Sequence, residues 1–72
     1  MKELDLSGLK CPLPVLRTRK VLQQLASGSR LKVTCTDPLA SIDLPNLVRE
    51  TGDTLEEQES DENRSVFVIR KA

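Results

Sequence analysis

The chain has 72 residues, in which 11 lysines and arginines balance 11 aspartates and glutamates, and it contains no histidine. This length suits one domain, residues 1–72, with a small core. The balanced charge and the lone aromatic residue, Phe67, argue against direct binding of RNA or DNA, which needs a basic surface or stacking aromatics. Without histidine, Ser-His or Cys-His catalysis within the chain is excluded.

Cys11 and Cys35 are the two cysteines, and they do not form a CxxC motif. A zinc site would therefore need ligands from elsewhere. No stretch approaches the roughly 20 apolar residues of a membrane span, and the first residues lack the apolar run of a signal peptide. We expect a cytoplasmic protein with reduced thiols, no metal, no bound cofactor and no contact with a membrane.

The chain begins with a pattern that is typical of a strand leading into a helix. Residues 4–7 alternate between apolar and polar side chains and are followed by Gly8, which predicts a short strand and a turn. The apolar spacing over residues 12–27 predicts a helix that ends before Gly28. Its apolar face consists of Val15, Leu22, Leu25 and Ala26, and its polar face of Arg17, Lys20 and Gln24.

A second strand is predicted over residues 30–36, where the pattern alternates cleanly and ends at Asp37-Pro38. The residues on its apolar face are Leu31, Val33 and Cys35. This phase indicates a core position for Cys35. Because parallel strands end at the same edge of a sheet, Cys35 is also a candidate second thiol near Cys11.

A second helical segment covers residues 39–51 and ends before Gly52. Because Pro45 falls inside it, we predict one turn followed by a helix that restarts near Asp43. Its apolar stripe consists of Leu44, Leu47 and Val48.

The last part of the chain predicts a hairpin. Residues 54–60 form a weak, acidic strand whose charges suit an exposed sheet edge, which favours a monomer. Residues 61–63 predict the turn, and residues 65–70 a buried central strand. The order is therefore β-α-β-α-β-β. Right-handed crossovers place both helices on one face of a single sheet, which gives a two-layer α/β sandwich of the α+β class.

Residues 8–14, Gly-Leu-Lys-Cys-Pro-Leu-Pro, indicate a function most directly. Proline is tolerated in the first turn of a helix, so Pro12 and Pro14 mark a helix start with Cys11 at or beside the N-cap. The positive end of a helix favours a thiolate, which is the nucleophilic form of cysteine. The turn at Gly8 and the two prolines would hold the loop rigid and the sulfur outward.

Basic residues accompany this motif. Lys10 precedes Cys11, and Arg17 lies about two turns along the predicted helix, where it could steer an acidic partner. Together with Arg19 and Lys20, these residues are first expected to form the solvated face of the helix. Their closeness to the thiol favours partner docking as the alternative.

Two aspartates in the Asp37-Pro38 and Asp43-Leu44-Pro45 elements are further candidates. The most direct interpretation of both is that they cap a turn or a helix. As the alternative, Asp37 and Asp43 tune the thiol or contact a partner.

These residues resemble the TusA/SirA-type sulfur-carrier family over essentially the whole chain. The likeness consists of Leu6-x-Gly8-Leu9-x-Cys11-Pro12-x-Pro14, Asp37-Pro38, Asp43-Leu44-Pro45, Gly52 and a closing apolar strand that ends in Arg70-Lys71. The resemblance implies a mixed four-stranded sheet in the order 1-2-4-3, with the last strand antiparallel and both helices on one side.

The resemblance also implies sulfur transfer. Cys11 would accept sulfane sulfur from a donor protein of the cysteine desulfurase or rhodanese type, hold it as a persulfide, and pass it to the cysteine of an acceptor protein. Acceptors in the family serve tRNA thiolation, cofactor sulfuration or sulfur metabolism. The chain departs from many family members at residues 47–49, where further aromatic or cysteine positions are common, and at Asp53, where a histidine is often found.

Two alternatives stay open from the residues alone. The first is a binding or regulatory module on the same fold in which Cys11 is structural, and which would keep its partner affinity after Cys11→Ser. The second is a thiol redox protein that uses Cys11 and Cys35, and which would form an intramolecular disulfide under mild oxidation.

Overall fold

A four-stranded mixed sheet organises the protein. The structure, a computed structural model, describes all residues from Met1 to Ala72. Its elements are β1 (Lys2–Leu6), α1 (Leu13–Gln24), β2 (Arg30–Cys35), α2 (Ala40–Thr51), β3 (Thr54–Ser60) and β4 (Ser65–Arg70). The strand order is β1-β2-β4-β3; β1 and β2 are parallel, and β4 is antiparallel to both of its neighbours. The α+β class, the strand order and the antiparallel last strand are confirmed.

The core lies between one face of the sheet and the two helices. Alternate residues of the central strands point to this face, and the register places Val33 opposite Phe67 and Leu31 opposite Ile69. All four side chains are completely buried. The helices cover them with Leu22, Ala40, Leu44, Leu47 and Val48. The predicted apolar stripe of α2 and the apolar face of β2 are therefore confirmed.

The first helix is shorter than predicted. It ends at Gln24 because Leu25 has an extended backbone, with φ −89° and ψ 147°. Its completely buried side chains are spaced four residues apart along one face of the helix and are Pro14, Thr18 and Leu22. Pro14 and Thr18 are not apolar aliphatic residues. Of the predicted face, Leu22 is buried, Val15 and Leu25 are half-buried, and Ala26 is exposed.

Thr18 is the one fully buried side chain whose hydroxyl has no hydrogen-bond partner. A buried polar group without a partner lowers stability because it loses its hydration without compensation. We expect Thr18→Val, which keeps the shape, to raise the free energy of unfolding by about 1 kcal/mol in urea denaturation. Thr54→Val, at an exposed position, is the control and should change little. A loss of stability in Thr18→Val would contradict this account of the hydroxyl.

The second helix is continuous, so the predicted break before Asp43 is wrong. Pro45 lies inside α2 and cannot donate a backbone hydrogen bond to the carbonyl of Ser41, four residues earlier. The side-chain amide of Gln58 on β3 donates to that carbonyl at 3.4 Å. The helix tolerates Pro45 because another element satisfies the carbonyl that the proline leaves free. Gly52 ends the helix in the left-handed conformation, with φ 80°.

The acidic strand β3 lies at the edge of the sheet and pairs with β4 alone, as predicted. A bulge between Leu55 and Glu57 interrupts the register. Glu56 at this bulge forms an ion pair with Arg30, with 2.8 Å between Oε1 and Nε, and its other oxygen lies 3.8 Å from Arg70 Nε. Because Arg30 and Arg70 are opposite each other across β2 and β4, the glutamate offsets the repulsion of two neighbouring cations.

Candidate functional site

The exposed cysteine lies in the loop between β1 and α1, at the edge of the sheet where the parallel strands β1 and β2 both end. Pro12 is the N-cap residue of α1, and Pro14 is in its first turn, as the motif predicts. The Cys11-Pro12 peptide bond is cis. Cys11 precedes the N-cap residue of α1, and its side chain is open to solvent.

Two residues after β2 hold this loop in place. The Gly8 N–H donates to Thr36 Oγ1 at 2.8 Å, and the Cys11 N–H donates to Asp37 Oδ2 at 2.6 Å. Gly8 has a φ of 83°, a conformation that residues with a side chain rarely adopt. The thiol loop is thus tied to the end of β2 by its own backbone.

The Asp37 carboxylate joins the two loops of the site. Its second oxygen, Oδ1, accepts the Leu39 N–H at 3.1 Å, immediately before α2 begins. One side chain therefore satisfies a donor at the start of each helix. Thr36 was not predicted as a site residue, because nothing in the sequence indicates that its hydroxyl meets the backbone of Gly8.

The second aspartate contacts the sulfur itself. The Cys11 thiol donates to Asp43 Oδ2, with 3.4 Å between the two atoms. This hydrogen bond, partial desolvation and the negative charges of Asp43 and Asp37 raise the pKa of Cys11 above its ordinary value. The helix start favours a thiolate, but the hydrogen bond to Asp43 and the charges of Asp43 and Asp37 shift the pKa of Cys11 in the opposite direction, which the motif alone did not predict.

A groove of about 350 Å³ runs from the thiol along the interface of the two helices. Its lining includes Cys11, Val15, Arg19, Asp43, Leu47 and Glu50. Arg19 and Glu50 form an ion pair of 3.4 Å across it, and both side chains are largely exposed. The groove can admit a side chain or a short peptide segment beside the sulfur.

The two predicted basic neighbours lie outside this groove. Lys10 and Arg17 are exposed and form no ion pair within the chain. Arg19, expected on the solvated helix face with partner docking as the alternative, is the basic residue that lines the groove.

Exposed aliphatic side chains occupy the starts of both helices. We call Leu13 and Leu16 on α1, with Leu39 and Ile42 at the start of α2, the apolar rim. Their exposed fractions run from 43% for Leu13 to 60% for Ile42. Exposed aliphatic residues around a site are typical of surfaces that contact another protein. Helical periodicity alone did not mark these four residues as a group.

Cys35 is completely buried on the core face of β2, opposite Leu6 of β1 and Ser65 of β4. Burial, followed by the charges of Asp37 and Asp5, raises its pKa to about 11. Both cysteines are free. A buried thiol with a high pKa reacts slowly, so the structure favours the core position of Cys35 over a part in chemistry.

No group of three or more acidic or cysteine side chains has an arrangement that could hold a metal ion. None of the helices is long and apolar enough to cross a membrane. The fold and the site define a small α+β thiol protein whose one accessible cysteine stands at the head of its first helix.

The family model described as "Sulfurtransferase TusA" matches residues 2–71. The chain therefore belongs to the TusA sulfurtransferase family, which confirms the resemblance. The sulfur carrier protein TusA of Allochromatium vinosum is 41% identical over 71 residues, which span 99% of this chain and 93% of that protein. A Pseudomonas putida protein of the same name is 38% identical over 68 residues, 94% of this chain and 85% of the relative.

The fold has a matching crystal structure as well. The SirA-like protein of Desulfitobacterium hafniense superposes with a TM-score of 0.84 at 27% sequence identity, and the alignment covers 97% of this chain and 96% of that one. Together with the names of the relatives, this match supports a sulfur-carrier role for this chain. Such a role requires a protein that donates sulfur and a protein that accepts it.

Proposed function

We propose that this protein carries sulfane sulfur as a persulfide on Cys11 and relays it from a donor protein to a cysteine of an acceptor protein. The observation that carries the proposal is the position of Cys11, the one exposed cysteine of the chain, on a tethered loop at the head of α1. A relay thiol has to reach two partners in turn, and an exposed sulfur at a rigid corner suits that task.

The transfer balances without an added oxidant or reductant. The Cys11 sulfur attacks the outer sulfur of a persulfide on the donor, a new S–S bond forms, and the donor cysteine leaves as a thiolate that takes up the proton given up by Cys11. In the second half, a cysteine of the acceptor attacks the outer sulfur on Cys11. A new S–S bond forms on the acceptor, the S–S bond on Cys11 breaks, and the leaving Cys11 thiolate takes up the proton given up by the acceptor cysteine.

The partner proteins supply the groups that activate the thiol. The chain has no histidine to act as a general base, so activation of the thiol depends on groups that the donor or acceptor brings. The apolar rim gives such proteins a surface to pack against beside the sulfur. A donor of the cysteine desulfurase or rhodanese type fits this chemistry, because both kinds of enzyme hold a persulfide on a cysteine. We propose that the monomeric carrier works in the cytoplasm, where thiols stay reduced.

The relay is tested by loading and chasing. The protein is incubated with a cysteine desulfurase, pyridoxal phosphate and cysteine labelled with radioactive sulfur, then separated from the donor and mixed with an acceptor that has a reactive cysteine. We expect the label to enter the protein in a form that dithiothreitol releases, and then to move to the acceptor. A protein that takes up no label, or label that no thiol can remove, would contradict the proposal.

A further inference from the structure

The carboxylate of Asp43 has a single polar contact in the chain, and that contact is with the thiol. Its Oδ2 accepts the Cys11 thiol, and it has no other hydrogen-bond or ion-pair partner in the chain. Asp37 differs, because both of its oxygens accept backbone N–H groups, from Cys11 and from Leu39. Asp37 therefore holds the two loops in place, whereas the carboxylate of Asp43 contacts only the Cys11 sulfur.

The charges that face the sulfur are mostly negative. Asp37 belongs to the loop before α2, while Asp43 and Glu50 belong to α2 itself. The cation in the groove, Arg19 of α1, pairs with Glu50.

Lys10, in the thiol loop, makes no ion pair with Asp43 or with any other acid. The side-chain charges that act on the Cys11 sulfur are those of Asp43 and Asp37, and both are negative. The site as it stands favours the neutral thiol.

We propose that Asp43 is a positioning residue that keeps the proton on Cys11 in the free carrier, and that a lysine or arginine of a docked partner protein pairs with Asp43 and frees the sulfur to react. This inference rests on the proposed function, for which it names the chemistry of the partner. The cation would replace the thiol as the partner of the carboxylate and stabilise the thiolate at the same time. The proton of Cys11 ends on the cysteine that the donor releases.

The surface around Asp43 suits such a partner. Leu39 and Ile42, within one turn of Asp43 at the start of α2, are 51% and 60% exposed and offer apolar packing. The groove beside Asp43 is open and carries more acidic than basic side chains. A basic side chain that is flanked by apolar residues on the partner is complementary to this arrangement in both charge and polarity.

The first test uses the free protein and a small reagent. In Asp43→Asn the carboxylate is gone, so we expect alkylation of Cys11 by iodoacetamide to begin at lower pH and to be faster at neutral pH. Nucleophilicity falls as basicity falls, with a slope of about 0.4–0.5, so a tenfold gain in thiolate gives only about a threefold gain in rate. Glu50→Gln is the matched control, since Glu50 lines the same groove without touching the sulfur.

Alkylation of Asp43→Asn at an unchanged or slower rate would overturn the inference that Asp43 keeps the proton on Cys11. Asp43→Ala gives a second measurement, because it removes the carboxylate without adding an amide that could donate to the sulfur. Circular dichroism of each variant shows whether α2 is intact. This arm needs no partner, so its outcome does not depend on whether the protein carries sulfur.

The second test uses the donor. If a cation of a cysteine desulfurase pairs with Asp43, Asp43→Asn should load sulfur about fivefold more slowly than the wild-type protein, the effect of one lost ion pair, although its free thiol alkylates faster. Opposite changes in the two rates would support the inference. Loading that rises in parallel with alkylation would overturn the role of the partner's cation. Absent loading in the wild-type protein as well would instead contradict the proposed function.

Discussion

Replacement of Cys11 by serine is expected to abolish sulfur loading completely. The substitution exchanges one atom and keeps the backbone N–H that donates to Asp37, so the loop retains its tether. A hydroxyl cannot form the S–S bond that holds sulfane sulfur, and the chain has no second exposed cysteine. Uptake of labelled sulfur from a cysteine desulfurase measures the effect.

The matched control is Cys35→Ala. Cys35 is buried, so its loss should lower stability but leave loading of the folded protein near the wild-type level. Loading that survives in Cys11→Ser, or that disappears in a folded Cys35→Ala protein, would show that the carrier sulfur was assigned to the wrong residue. A disulfide between the two cysteines after mild oxidation would favour the redox alternative.

The second large effect concerns the only aromatic residue. Phe67 lies on the central strand β4, opposite Val33 of β2, and is completely buried. Phe67→Ala leaves a cavity and is expected to lower the free energy of unfolding by about 3–5 kcal/mol. At 0.05–0.15 kcal/mol per residue, a domain of this size is stable by roughly 4–11 kcal/mol, so the variant should be close to its unfolding threshold.

Thermal and urea unfolding, followed by circular dichroism, measure this effect. The control is Val66→Ala on the same strand, because Val66 is half-buried on the opposite face of the sheet. Its expected loss is about 1 kcal/mol. Similar losses in the two variants would mean that the core is not centred on the face covered by the helices.

The arrangement of strands and helices could be predicted because each element has its own local signal. Alternation in β2 and helical spacing in α2 follow from burial of one face, and the continuous apolar run of β4 follows from its central position in the sheet. A shift of one residue in the register of β2 would turn its whole apolar set away from the core. The prediction was wrong where a contact between residues far apart in the sequence determines the local structure. Pro45 remains inside a continuous α2 because Gln58, on another element, donates to the carbonyl that the proline leaves free.

The site likewise combines features that the local sequence predicts with features that depend on distant contacts. The motif around Cys11 correctly predicts a thiol at the head of a proline-initiated helix. Its charge state could not be predicted from those neighbours, because Asp43, the residue that receives the thiol hydrogen bond, is 32 positions away in the chain. The helix start favours a thiolate, and the nearby carboxylates oppose it. Local sequence identified Cys11 as the candidate nucleophile, whereas the protonation of its thiol depends on a contact between two elements.

The most direct test of the central claim locates the added sulfur. After loading with a cysteine desulfurase and cysteine, the protein is alkylated with iodoacetamide, digested with trypsin and analysed by mass spectrometry. Cleavage after lysine and arginine places Cys11 in the peptide of residues 11–17 and Cys35 in the peptide of residues 33–49. We predict one extra sulfur atom on the first peptide and none on the second. A first peptide that carries only the alkyl group, with extra sulfur elsewhere or nowhere, would contradict the assignment of Cys11 as the carrier.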